Sequence, residues 1–214
     1  MTESEFNTAP TMSPGFEPAQ LRVAVDDERL AAALRRVTRH LFVPDYRRMM
    51  AYHDVEISLG QGRRCPQPSA IVQLLSAANL DGPAVACVWA GSGYMVALLA
   101  AMGLDVHAVE SPGTLRDMAI QGLATLNLQD RVTWHDDIES LAAESVQSAV
   151  VCAGVPRFPR RLLTKVPQHG RLVVPILRGH SAVVSVITRL THGHRRQDRP
   201  SVALHSLDGI PARR

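Results

Sequence analysis

The chain has 214 residues, 46% hydrophobic and 20% charged, with a formal charge of +3 and a pI near 9.1. These values describe one globular domain with a single large core. No stretch approaches the ~20 apolar residues needed to span a bilayer. The first twenty residues lack the basic start and apolar run of a secretory signal. The cysteines, at 65, 87 and 152, form no Cys-x-x-Cys pair, which argues against zinc or another metal and for a reducing cytoplasm.

Aromatic residues are 4% of the chain, so the core must be built from Ala, Val and Leu. Lys165 is the only lysine, and the Arg pairs at 35-36, 47-48, 63-64, 160-161 and 195-196 read as solvated surface rather than a nucleic-acid face. Residues 1–20 read as a disordered segment and 21–214 as a single domain.

In chain order, Leu30, Ala33, Leu34 and Val37 recur at helical spacing and predict a helix over about 22–40, stopped by Pro44. Residues 51–68, with Gly60, Gly62, Pro66 and Pro68, read as an irregular loop, and 69–79 as a helix. Strands are then predicted at 85–90, 105–110, 131–136 and 148–154. The intervening helices are 94–103 and 112–127, with a short helical turn at 138–143 and a short helix at 160–166. Strands at 170–177 and 182–190 meet at Gly179-His180, and a last strand is predicted at 201–207. Strand–helix alternation followed by strands alone implies a doubly wound α/β sheet, mostly parallel, with an antiparallel C-terminal edge.

The stretch ACVWAGSGY, residues 86–94, ends the first strand of that sheet and opens a helix. Ligands bind such sheets at the carboxyl ends of the strands, where strand order reverses. Glycine lets the backbone approach a ligand, and a helix N-terminus adds free N–H groups. A dinucleotide fingerprint would need a small residue at Val96, which disfavours NAD. Glu110 follows Gly91 by about the ~20 residues that place an acid on ribose hydroxyls, and Asp136 ends the next strand. A short glycine turn with acids on two successive strands points to an adenosyl group held without phosphates, hence to S-adenosyl-L-methionine. Other candidates read as ordinary structure. His53 reads as surface and Asp54 as a structural acid, while His192, His194 and His205 lack the partners of a metal set.

Taken together, several segments resemble the protein-L-isoaspartate O-methyltransferase family over about residues 35–208. HLFVPDYRRMMAYHDVEISLGQG (40–62) resembles its opening segment, and Gly60, Gly62, Gln67 and Pro68 fall in its active loop. GSGY (91–94) matches its cofactor turn, AVES (108–111) its ribose strand, HDD (135–137) its adenine position, and residues 151–176 its substrate loop and following strand. The resemblance implies a Rossmann-like class I methyltransferase sheet and transfer of a methyl group to an isoaspartyl carboxylate of a peptide or protein. It implies cofactor contacts from Trp89, Ala90, Gly91, Ser92, Gly93, Tyr94, Glu110, Ser111, Asp136 and Asp137. It implies substrate contacts from Gly62, Arg63, Arg64, Cys65, Pro66, Val155 and Pro156, with no nucleic-acid or membrane partner.

The sequence departs from the family pattern on the ligand side. The family loop reads glycine-glutamine-threonine-isoleucine-serine-any-proline, whereas this chain has Gly62-Arg63-Arg64-Cys65-Pro66-Gln67-Pro68. Pro66 stands for the active-site serine, so no catalytic residue is assigned. Cys87 and Trp89 stand for an acid and a glycine of the cofactor turn, and His135 and Asp137 for two glycines. Trp89 is expected to crowd the methionine end of the cofactor or to turn into the core. Arg63 and Arg64 suit either a substrate carboxylate or solvent. The first expectation is a carboxyl O-methyltransferase, specialised for one peptide. The alternatives are a catalytically degenerate methyltransferase fold that serves as a binding partner, and a different reaction in the same pocket.

Overall fold

The computed structural model describes residues 18–78, 80–179 and 181–202. Its main sheet has seven strands in the order β5-β4-β3-β6-β7-β8-β9. These are β3 (Ala84–Val88), β4 (Asp105–Val109), β5 (Val132–His135), β6 (Ser148–Val151), β7 (Arg171–Arg178), β8 (Ser181–Arg189) and β9 (His194–Val202). The first five pair in parallel and β7-β8-β9 antiparallel, as the sequence predicts. Strand β3 leads to β4 on one side and lies beside β6 on the other, so order reverses at the carboxyl end of β3.

Two cores cover the two faces. One contains α2 (Glu28–Arg36), α3 (Pro68–Ala77) and α4 (Tyr94–Ala101), together with Ala119 and Leu123 of α5 (Thr114–Thr125) close against it. Helix α4 is buried from Tyr94 to Ala100 because it carries apolar residues on every side. The other core collects Leu141, Val146, Val155, Leu162 and Val166 under β6 and β7.

Several boundaries differ from the sequence reading. The helix expected over 22–40 is two helices, α1 (Ala19–Arg22) and α2. The Asp27 carboxylate accepts the N–H groups of Arg29 and Leu30, at 2.8 and 3.4 Å, and so starts a new helix. Within the segment expected to lack order, Ala19 and Gln20 are buried; residues 1–17 lie outside the described residues. The loop expected over 51–68 instead contains a hairpin, β1 (Ile57–Gly60) with β2 (Arg63–Cys65). Gly60, Gln61 and Gly62 all have positive φ at its turn, which glycine makes possible. The helical turn expected at 138–143 is an Asp137-capped turn, in which the Asp137 carboxylate accepts the Ser140 N–H at 2.8 Å.

The last strand begins at His194, earlier than predicted, and residues 203–207 lie outside the described residues. Its opening HRRQDRP carries no apolar alternation because it is an edge exposed to solvent. Pro200 falls at the register shift opposite Val183–Ser185, where a missing N–H is tolerated.

Three histidines titrate below the ordinary imidazole value. His107 Nδ1 and His135 Nε2 lie 3.0 Å apart across β4 and β5. Burial lowers both pKa values; the facing imidazole lowers His107 further, while Arg116 acts on His135 against Asp136 and Asp137. Burial, then Arg48, lowers His40, which accepts or donates at 2.6 Å with the Tyr52 hydroxyl. A folded-state pKa below the unfolded one means that the unfolded chain binds more protons as pH falls through ~6.5. Thermal melting is therefore expected at lower temperature near pH ~5.5 than near ~7.5, and His135→Gln should flatten that slope.

Candidate functional site

The turn that closes β3 is held by its own backbone. Ala90 N–H donates to Val109 O at 3.1 Å and Gly93 N–H to Ala90 O at 3.1 Å, so the turn is tied to β4 before α4 begins. Gly93 has φ of 89°, and a Cβ there would lie 2.5 Å from Ala119 Cβ. Glycine is required at that point by conformation and by space.

Glu110 follows β4 directly and is only 6% exposed. Its N–H donates to His135 O at 3.0 Å, which fixes the carboxylate beside the turn. Oε2 accepts Gly91 N–H at 2.7 Å. The rest of the carboxylate is held by Arg63 from β2: Nη1 donates to Oε1 at 2.8 Å and Nη2 to Oε2 at 2.6 Å. This is a bidentate, charge-assisted fork between two largely buried groups. Arg63 therefore binds a carboxylate, but that of its own chain, and it is not the solvated residue its pairing with Arg64 suggests. Arg64 is 43% exposed and pairs with Glu56 at 3.6 Å.

Trp89 keeps the glycine-like backbone of the family's turn, with φ of 55°. A tryptophan in that region stores about 1–2 kcal/mol of strain. Its ring packs partly buried against the second core and also walls a cavity shared with Arg63, Cys65, Pro66, Gly91 and Cys152. The ring thus turns toward the core without clearing the cavity wall. The cavity measures ≈ 20 Å³, room for about one water. Trp89→Gly relieves the left-handed strain and retracts this wall, so it is expected to tighten cofactor binding in calorimetry; an unchanged affinity would show that Trp89 is not an obstruction.

The remaining expected residues divide into three groups. Ala90, Ser92 and Tyr94 are buried in the turn and first helical residue. The Tyr94 hydroxyl finds no hydrogen-bond partner among the described residues, and burial pushes its pKa far up. On the adenine side, the Ser111 hydroxyl donates to Asp136 O at 3.3 Å, and the Asp136 carboxylate takes Arg116 at 2.5 Å. In the substrate set, Gly62 and Pro156 are exposed, whereas Val155 is buried in the second core, bridged to Ile176. Asp54 accepts Ser69 N–H at 2.9 Å at the start of α3, consistent with a structural acid.

Two features escaped the sequence. Cys87, which stands for the family's acid, lies 3.0 Å from Cys152 (Sγ to Sγ), and hydrogen bonding to that thiol together with burial pushes its pKa well up. The position holds a neutral thiol rather than an anion. Arg39 is 1% exposed and donates to the carbonyls of Ala51, His53, Val55, Cys65 and Pro66. It ties the start of the chain to both ends of the hairpin, and no periodicity announces such a role. A larger cavity of ≈ 360 Å³ lies between α5 and residues 41–48 and contains none of the expected site residues. Among the described residues no group of three His, Cys, Asp or Glu is arranged to hold a metal, and no helix is long and apolar enough to cross a membrane.

An adenosyl group needs an acid for its ribose hydroxyls and a backbone turn that can be approached closely. Glu110 and the Gly91–Gly93 turn supply both, so the residues fit once the Arg63 guanidinium leaves the carboxylate. A doubly wound sheet with this turn at its switch point and a buried acid on the next strand defines a Rossmann-like fold built to hold an adenosine moiety. The family profile of protein-L-isoaspartate(D-aspartate) O-methyltransferase matches residues 18–204. A protein-L-isoaspartate O-methyltransferase of Pseudomonas paraeruginosa (strain PA7) is 33% identical over 184 residues, 83% of this chain and 86% of the relative. Protein-L-isoaspartate O-methyltransferase 1 of Rhodopseudomonas palustris (strain HaA2) is 35% identical over 161 residues, 74% of this chain and 66% of the relative. A Plasmodium falciparum protein described as a protein-L-isoaspartate O-methyltransferase, solved with S-adenosyl-L-homocysteine, superposes with a TM-score of 0.70 at 18% identity, over 86% of this chain and 92% of that one. The chain belongs to the protein-L-isoaspartate O-methyltransferase family. It is a methyltransferase of that kind.

Proposed function

We propose that this chain is a specialised member of its family that methylates (iso)aspartyl carboxylates of a restricted peptide or protein substrate, in the cytoplasm. The observation that carries the reading is the buried Glu110 fixed on the Gly91 N–H at the sheet's switch point. Such an acid supports an adenosyl site even where the loop around it has changed. In this reading Glu110 holds the ribose, the Gly91–Gly93 turn lies along the methionine side, and Ser111, Asp136 and Asp137 edge the adenine. When bound, S-adenosyl-L-methionine supplies a methyl group already activated on sulfonium.

The chain's own task is then light. A carboxylate is a nucleophile without a general base, so replacement of the family serine by Pro66 removes no proton acceptor. What remains is to orient the carboxylate in line and to keep water out. Arg63 and Arg64 are the cations of the loop, and a planar guanidinium suits a carboxylate. Loss of the serine hydroxyl and gain of an arginine pair support a narrowed, acid-directed choice of peptide.

The test is transfer of labelled methyl from S-adenosyl-L-methionine to peptides differing only in isoaspartate or aspartate at one position. Base-labile label on the isoaspartyl peptide is expected. Absence of label on every acidic peptide, in a chain that binds the cofactor, would overturn the acceptor assignment. A degenerate, binding-only protein is the second reading, favoured by Trp89 on the cavity wall. It predicts no cofactor binding at all.

A further inference from the structure

We propose that Arg63 is a displaceable occupant of the ribose subsite, which exchanges Glu110 for the peptide carboxylate when cofactor binds. The inference rests on the methyl-transfer reading above and adds an order of binding to it. Three hydrogen bonds already take up most of the acceptor sites of the Glu110 carboxylate, two from the Arg63 fork and one from Gly91 N–H, and a diol would add two more. A ribose diol and the fork cannot hold it together. The guanidinium also covers the turn, since a Cβ on Gly91 would lie 3.8 Å from Arg63 Nη2 and 3.7 Å from Leu59 Cδ1.

No sheet ladder holds the element that carries Arg63. The β1–β2 hairpin forms its own two-stranded sheet with no ladder to the main one. Its flanks are pinned by Arg39 at Val55, Cys65 and Pro66 and by Ile57 and Cys65 in the core, so the shift in this proposal is confined to the turn end, residues 59–63. Separation strands two mostly buried charges, so each needs a new partner. The ribose hydroxyls serve Glu110. A carboxylate serves Arg63, whose fork already matches one here. The peptide carboxylate is the acid that the reaction brings to this loop. Cofactor binding thereby frees the substrate's receptor, and the two ligands bind with positive coupling. Glutamine, the family's residue at this place, carries no charge and cannot form this ion pair.

The experiment is calorimetric titration of the full chain, Arg63→Gln and Arg63→Lys with S-adenosyl-L-homocysteine, with and without an isoaspartyl peptide. Alkylation of Cys65 without ligand is followed in parallel. Arg63→Gln is expected to bind the ligand roughly ten- to a hundredfold more tightly, as loss of a competing charge-assisted contact requires. It should lose the peptide-induced gain in affinity seen in the parent, while Cys65, pinned by Arg39, should alkylate at the parent's rate. Arg63→Lys keeps the charge without the fork and should fall between. Equal or weaker binding by a folded Arg63→Gln would overturn the proposal and leave the methyltransferase reading intact. Absence of binding by parent and variants alike would overturn that reading, and this inference with it.

Discussion

Replacing Arg39 with Met is expected to destabilise the chain by about 3–5 kcal/mol, since several charge-assisted hydrogen bonds to buried carbonyls are lost together, and to lower the melting temperature by roughly 10 °C. The guanidinium is 1% exposed and donates to five carbonyls, of Ala51, His53, Val55, Cys65 and Pro66. Methionine fills the stem's volume but leaves those oxygens without a donor, each at a desolvation cost of about 1–3 kcal/mol if water cannot reach it. The 51–56 and 65–66 segments would separate first, because Arg39 joins them. Its guanidinium also lies 5.9 Å from the Tyr94 ring, at the start of α4. Loss of the hairpin anchor should therefore expose Cys65 before global unfolding, readable by alkylation below the melting transition. A melting temperature within about 2 °C of the parent would show that the carbonyls find water instead.

Gly93→Ala is expected to cost about 2–5 kcal/mol and to abolish cofactor binding. Two independent penalties act there. The φ of 89° is outside the range favoured by L-residues, worth about 1–2 kcal/mol. The new methyl would meet Ala119 Cβ at 2.5 Å and Ala119 Cα at 3.0 Å, an overpacking of about 1–3 kcal/mol. Relief requires α5 to move away from the turn, and α5 follows the Glu110 strand end. The same contact couples fold to site, so affinity should fall even in the folded fraction. The comparison is Gly103→Ala, where φ is also 89° but a Cβ meets nothing within 4 Å. That variant should lose only the conformational part.

The sheet was legible because its buried strands are continuous apolar runs, VACV and SAVV among them, between helices with apolar faces. The antiparallel edge was legible in AVVSVITRL but not in HRRQDRP, whose solvent exposure erases alternation. Glu110 could be found by its distance from Gly91, since sheet geometry fixes that interval. Arg63's partner could not. It lies 47 residues away, and the hairpin that delivers it reads locally as a Gly-Pro loop. Arg39 was hidden for a related reason. Its acceptors are main-chain carbonyls, which leave no mark on the sequence. Trp89 shows the limit from the other side: the sequence names the intruding side chain, but only the backbone at φ 55° shows it seated in a glycine's conformation.

The methyltransferase reading requires a cofactor site that persists beneath Arg63 and beside Trp89. Calorimetric titration of the full chain with S-adenosyl-L-homocysteine tests it most directly. Saturable one-to-one binding is expected, with a Kd in the micromolar range, about −8 kcal/mol. No heat at about millimolar ligand, in a chain that melts cooperatively, would contradict it and mark ACVWAGSGY as a turn whose ligand site has been filled.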